Sequence, residues 1–180
     1  MIKILYSLLM MIVCTTTGCV TDDEPDGPSL IAGDPLPEFS VTMNNGEVIS
    51  TNSLKGTIPV IVFFNTGCSD CQKELPVIQK LWEEYNNTQG VKIVAIAREE
   101  KADEIRNYWK KNGLSLPYSP QDTREVYNLF ATSIIPRIYI ANRDGIITST
   151  FDDSKMPGYD LLVSKIKEAQ NLGTVSKFEK

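Results

Sequence analysis

Cys68 and Cys71, with two residues between them, sit where an apolar run ends and a helical pattern begins. The run is Ile58-Pro59-Val60-Ile61-Val62-Phe63-Phe64, and the pattern extends from Gln72 to Tyr85. At a strand-to-helix junction such a pair forms a dithiol that cycles with a disulfide. The helix N-terminus points unpaired N–H groups at the first sulfur and favours its thiolate. Cys68 is therefore the expected nucleophile, and Cys71 the thiol that resolves a mixed disulfide formed on it. Two other uses of the pair fit less well. Zinc takes about four ligands, but the chain has no His, and its other cysteines, Cys14 and Cys19, fall in a targeting segment. A structural bridge would close a loop too short to gain much entropy. Exchange between two sulfurs calls for no cofactor and no metal, and none is expected.

The elements that must hold this pair are legible from periodicity. Thr57 to Phe64 reads as a buried strand and Gln72 to Asn86 as a helix, with Leu75, Ile78, Leu81, Trp82 and Tyr85 on one face. Pro76 inside it predicts a kink. Gly90 breaks the chain before Val91 to Ala97, a strand apolar enough for a central parallel position. Upstream, Asn44-Asn45-Gly46 signals a hairpin between Ser40-Val41 and Glu47-Val48-Ile49-Ser50. Downstream come helices over Asp103 to Asn112 and Thr123 to Phe130. A second hairpin follows, Arg137 to Ala141 and Ile146 to Thr150 about an Asp144-Gly145 turn, and then a helix from Tyr159 to Leu172. The order predicts an α/β domain with a mixed sheet and helices on both faces.

The first 19 residues read as a signal rather than as part of the fold. Lys3 supplies a positive start, Ile4 to Val13 an apolar stretch too short to span a bilayer, and Thr15-Thr16-Thr17-Gly18 small residues before Cys19. This resembles a bacterial lipobox, in which cleavage falls before a cysteine that then takes a diacylglyceryl chain. Thr16 stands where Leu is commonest. An ordinary signal peptide cut nearby is the alternative, and either leads out of the cytoplasm, where disulfide chemistry is permitted. Val20 to Pro28 is acidic and rich in Pro, which suits a flexible tether. Its acidic cluster resembles the surface-export signal of Bacteroidetes lipoproteins. The expected organisation is a signal over 1–18, a tether over 19–29 and one domain over 30–175. A formal charge of −5 and the lack of a basic patch speak against nucleic acid as a partner.

Taken together, Phe63-Phe64-Asn65-Thr66-Gly67-Cys68-Ser69-Asp70-Cys71, Gln72-Lys73-Glu74-Leu75-Pro76 and Ile135-Pro136 before a strand and turn resemble the TlpA/ResA-type exported thiol–disulfide oxidoreductases. The likeness covers about residues 30 to 172. It implies a thioredoxin-like fold with an N-terminal β-hairpin and an insertion before a cis-proline at Pro136. It also implies that Glu74 tunes protonation of the buried thiol, and that Ile135 and Pro136 offer a backbone edge to an extended substrate. Glu100 aligns with a second acidic position of the closer relatives; a solvated loop charge is the alternative there, and an exposed helix charge is the alternative for Glu74. Arg137 is expected at the surface. The family usually has Trp where Gly67 stands, often Thr at Ile135, and commonly Pro between the cysteines. These departures bear on substrate choice, not on the class of chemistry.

The implied function is a membrane-tethered reductase of exported protein disulfides, serving cytochrome c maturation or oxidative-stress repair. Its partners would be protein thiols and disulfides, a membrane electron donor and, through Cys19, the outer membrane on its periplasmic or surface face. Asp70 adds negative charge beside Cys68 and should make the couple less oxidising. A thiol peroxidase is a second reading. Peroxiredoxins place Thr or Ser three residues before the reactive cysteine and Pro seven before; here Asn65 and Ile61 stand there. A non-enzymatic binding subunit of an envelope complex is a third, disfavoured by the intact cysteine pair.

Overall fold

The computed structural model describes residues 29–172, apart from 87 and 89. The signal, Cys14, Cys19 and nearly all of the tether lie outside the described residues. The centre is β3 (Ile58–Phe64), every residue of which is buried. A strand covered on both faces must be apolar throughout, and this one is. Its Pro59 has no N–H to offer, but the ladder to the strand on one side begins only at Val60, so no bond of that ladder is lost.

Five strands form the main sheet, in the order β5-β4-β3-β6-β7. β3 runs parallel to β4 (Val91–Ala97), which runs parallel to β5 (Tyr118–Ser119). On the other side β6 (Arg137–Ala141) is antiparallel to β3, and β7 (Ile147–Phe151) to β6. The first hairpin forms as expected, β1 (Ser40–Thr42) against β2 (Val48–Ser50), but as a separate two-stranded sheet. β5 has only two residues and lies between Pro117 and Pro120, so it left no periodic signal.

Successive side chains of a strand point to opposite faces. Phe63 therefore enters a cluster with Tyr127, Phe130 and Tyr139, while Phe64 packs on Trp109. Trp109 belongs to α2 (Ala102–Asn112), and Tyr127 to the single turn α3 (Glu125–Asn128). The aromatic cluster so covers one face and α2 the other. Burying each such ring contributes about 1.5–3 kcal/mol. The crossover from β3 to β4 is α1 (Ser69–Tyr85), which lies against α4 (Tyr159–Leu172). α1 buries Cys71, Glu74, Leu75, Ile78, Gln79, Leu81 and Tyr85, a stripe at helical spacing. It begins three residues before the apolar pattern does, and so includes Cys71.

Candidate active site

The site grows out of the end of β3. Asn65 closes the turn that follows: its carbonyl accepts from Cys68 N at 3.1 Å, and its Oδ1 accepts from Gly67 N at 2.8 Å. Its Nδ2 donates to the Arg98 carbonyl at 3.1 Å, tying the turn to the end of β4. Cys68 then caps α1 with extended backbone, and its Sγ accepts from Cys71 N at 3.4 Å. That is an N-cap made by sulfur in place of the usual oxygen. The Cys68 thiol in turn faces the Ile135 carbonyl at 3.5 Å.

Cys71 is fully buried, while Cys68 is partly exposed, and both thiols are free. Burial pushes the Cys71 thiol well above the ordinary range, and Arg98 opposes this only weakly. Glu74 lies one turn further along α1, on the same buried stripe, and is only 3% exposed. Its Oε1 is buried with no hydrogen-bond partner. Burial alone pushes its carboxyl up to about 7. The peptide bond between Ile135 and Pro136 is cis, and both residues are buried opposite the dithiol turn.

Of the two readings of Glu100, the solvated loop charge falls away: the residue is 4% exposed. Its Oε2 accepts from Thr66 N at 2.8 Å, and its Oε1 accepts from the Thr66 hydroxyl. A buried carboxylate needs such donors; Glu100 anchors the redox turn from beneath. Arg137 is not at the surface either. It is buried, and its Nε donates to the Ser133 carbonyl at 3.1 Å in the loop before the cis bond. Asp70 is where it was expected, but Lys73 pairs with it at 2.7 Å, which reduces the negative charge felt at Cys68.

Residue types alone did not single out Asn65, Thr66 or Arg98. An Asn just before a tight turn was the one available signal. Gly67 is exposed, and a Cβ there would meet only Asn65 Oδ1, at 3.1 Å. With no side chain at this position, an open groove of about 460 Å³ lies beside Cys68. It is lined by Asn65, Gly67, Arg98, Ile134 and Ile135.

Residues 32–150 match the AhpC/TSA family. The thiol–disulfide oxidoreductase ResA of Bacillus subtilis is 26% identical over 161 residues, which are 87% of this chain and 89% of that protein. Among solved structures, a thiol:disulfide interchange protein of the thioredoxin family from Chlorobium tepidum superposes with a TM-score of 0.65 at 23% identity. The match covers 79% of this chain and 99% of that one. StoA from Bacillus subtilis gives 0.63 at 22% identity, over 77% and 98%. The fold is thioredoxin-like.

Proposed function

Because the chain belongs to the AhpC/TSA family and is a thiol–disulfide oxidoreductase, we propose that it works outside the cytoplasm as a lipid-anchored reductase of protein disulfides. The observation that carries the reductase half is the placement of the two sulfurs. Cys68 caps α1 at the surface, and Cys71 lies buried one turn on, its proton held by burial.

The reaction runs in two exchanges. Cys68 Sγ attacks one sulfur of the substrate disulfide, and the other substrate sulfur leaves and takes a proton. Cys71 Sγ, having given up its proton, attacks Cys68 Sγ and expels the second substrate thiol. The substrate gains two electrons and the protein becomes the Cys68–Cys71 disulfide, which a membrane donor reduces again. Glu74 is the proton acceptor for Cys71: a carboxyl titrating about 7 can take that proton and return it at neutral pH. Ile135 and Pro136 form the backbone edge along which an extended substrate lies. Cys19 carries the anchor, and Val20 to Pro28 the tether. The anchored domain stands on either face of the outer membrane.

The family match makes a thiol peroxidase the second reading. The Asn65 side chain, three residues before Cys68, is already committed to Gly67 N and the Arg98 carbonyl, and Ile61 is buried in β3. One experiment separates the readings. Protein isolated from cells fed a tagged fatty acid is expected to carry the tag and to lose it on Cys19→Ala. It is expected to reduce protein disulfides with dithiothreitol as donor, and to consume hydrogen peroxide at background rates. A tag that persists in Cys19→Ala removes the anchor. Peroxide turnover as fast as disulfide reduction replaces the reductase with a peroxidase.

A further inference from the structure

The chain is acidic, yet three arginines gather round Tyr127 beside the dithiol. Arg98 and Arg124 lie over its ring, at 5.3 and 5.5 Å, and Arg137 holds the loop that its hydroxyl also holds. Two of the three are committed. Arg124 pairs with Glu99 at 3.5 Å and donates to the Thr132 carbonyl at 2.9 Å. Arg137 is buried against Ser133. Arg98 differs: its backbone is bonded to Phe64 and Asn65 and its side chain to Tyr127, and the residue lines the groove beside Cys68 without a carboxylate partner among the described residues.

We propose that Arg98 is a specificity-determining residue that binds a carboxylate in the substrate, on an extended segment whose Asp or Glu lies two residues from the cysteine Cys68 attacks. This rests on the oxidoreductase reading above and names the class of substrate. Glu99 adopts a left-handed φ of 53°, so the chain turns between Arg98 and Glu100. Glu100 goes under the redox turn, and Arg98 stays on the groove wall. The cation–π contact with Tyr127 holds the guanidinium in place before substrate arrives, which lessens the ordering cost of binding. Its planar fork matches a carboxylate. Exposed Gly67 leaves the approach open, and Ile134 and Ile135 supply apolar lining. In an extended segment the side chain two positions from the cysteine shares its face and lies about 7 Å along the strand, a distance such a groove accommodates.

The test uses three disulfide-linked peptides that differ only in the residue two positions from the cysteine, on the same face of the extended segment: Glu, Gln or Lys. Each oxidises the dithiol protein in a single turnover, and every rate is divided by that of a small neutral disulfide, so a general loss of Cys68 reactivity cancels. The expected order is Glu, Gln, Lys, with Glu ahead of Gln by roughly five-fold at low salt. Added salt should narrow the gap. Arg98→Gln should flatten the order, Arg98→Glu reverse it, and Arg98→Lys retain it with a smaller spread. Equal rates for the three peptides with the wild-type protein overturn the inference. So does an order that survives Arg98→Glu, and so does oxidation by the neutral disulfide alone. Failure of the peptides and the neutral disulfide alike overturns the dithiol chemistry itself, and the inference with it.

Discussion

Cys71→Ser is expected to reduce multiple-turnover disulfide reduction to background while accumulating mixed disulfides through Cys68. The expectation follows from position. Cys68 is the partly exposed sulfur at the N-cap, and Cys71 is sealed beneath it, 0% exposed. Only Cys68 meets a substrate sulfur, and only Cys71 is placed to displace that substrate afterwards. Cys68→Ser should therefore trap almost nothing, although it too loses turnover. Non-reducing electrophoresis of both variants, taken from cells after alkylation, reads the difference directly. Equal trapping by the two variants would mean that the roles are reversed or shared.

Glu74→Gln is expected to slow disulfide reduction by roughly 10²-fold at pH 7 and at the same time to stabilise the fold in alkali. The stability effect follows from linkage. Burial raises the Glu74 carboxyl to about 7 in the native state, above about 4.3 for an unfolded glutamate. Its stabilising contribution is thus fully present below the unfolded value and is lost as pH rises through about 7. Above that, the native state must bury a charge whose Oε1 has no partner. Gln removes the charge at nearly the same volume. Urea unfolding should show the variant more stable than wild type by roughly 2 kcal/mol at pH 8.5, after discounting for solvent screening, and equal to it at pH 4. The rate profile of the variant should lack the inflection near pH 7. A variant no more stable than wild type at pH 8.5 would show that Glu74 is solvated in the native state. A retained inflection would assign the proton transfer to another group.

How much of this was readable beforehand depended on sequence separation. The dithiol and its helix were legible because capping and helical periodicity act within one or two turns. The strands β3, β4 and β6 were legible because burial on both faces leaves an apolar run, and β7, the edge strand, because an Asp144-Gly145 turn leads into it. The cis bond at Ile135-Pro136 came from family resemblance, not from local pattern. Arg137 was misjudged and Glu100 was left between two readings, since a charged residue reads as solvated until its partner is known. The partner of Glu100 is Thr66, 34 residues earlier in the chain. Arg98 was missed for the same reason: its place is set by Asn65, Tyr127 and the groove, none of them a sequence neighbour. β5 was missed because two residues have no period.

The reduction potential of the Cys68/Cys71 couple decides most directly whether the protein reduces disulfides or makes them. A strong oxidant stabilises its thiolate. Here the chain offers no His, the Cys68 thiol faces the Ile135 carbonyl, Lys73 is taken by Asp70, and burial keeps the Cys71 proton in place. Arg98 and the N-cap bond from Cys71 pull the other way, and a comparable N-terminal helix does not make thioredoxins oxidants. Equilibration against a glutathione or dithiothreitol series, followed by alkylation and mass measurement, is expected to give about −270 mV, the thioredoxin end of the scale. A value above about −150 mV would contradict the reductase and make the protein a source of disulfides instead.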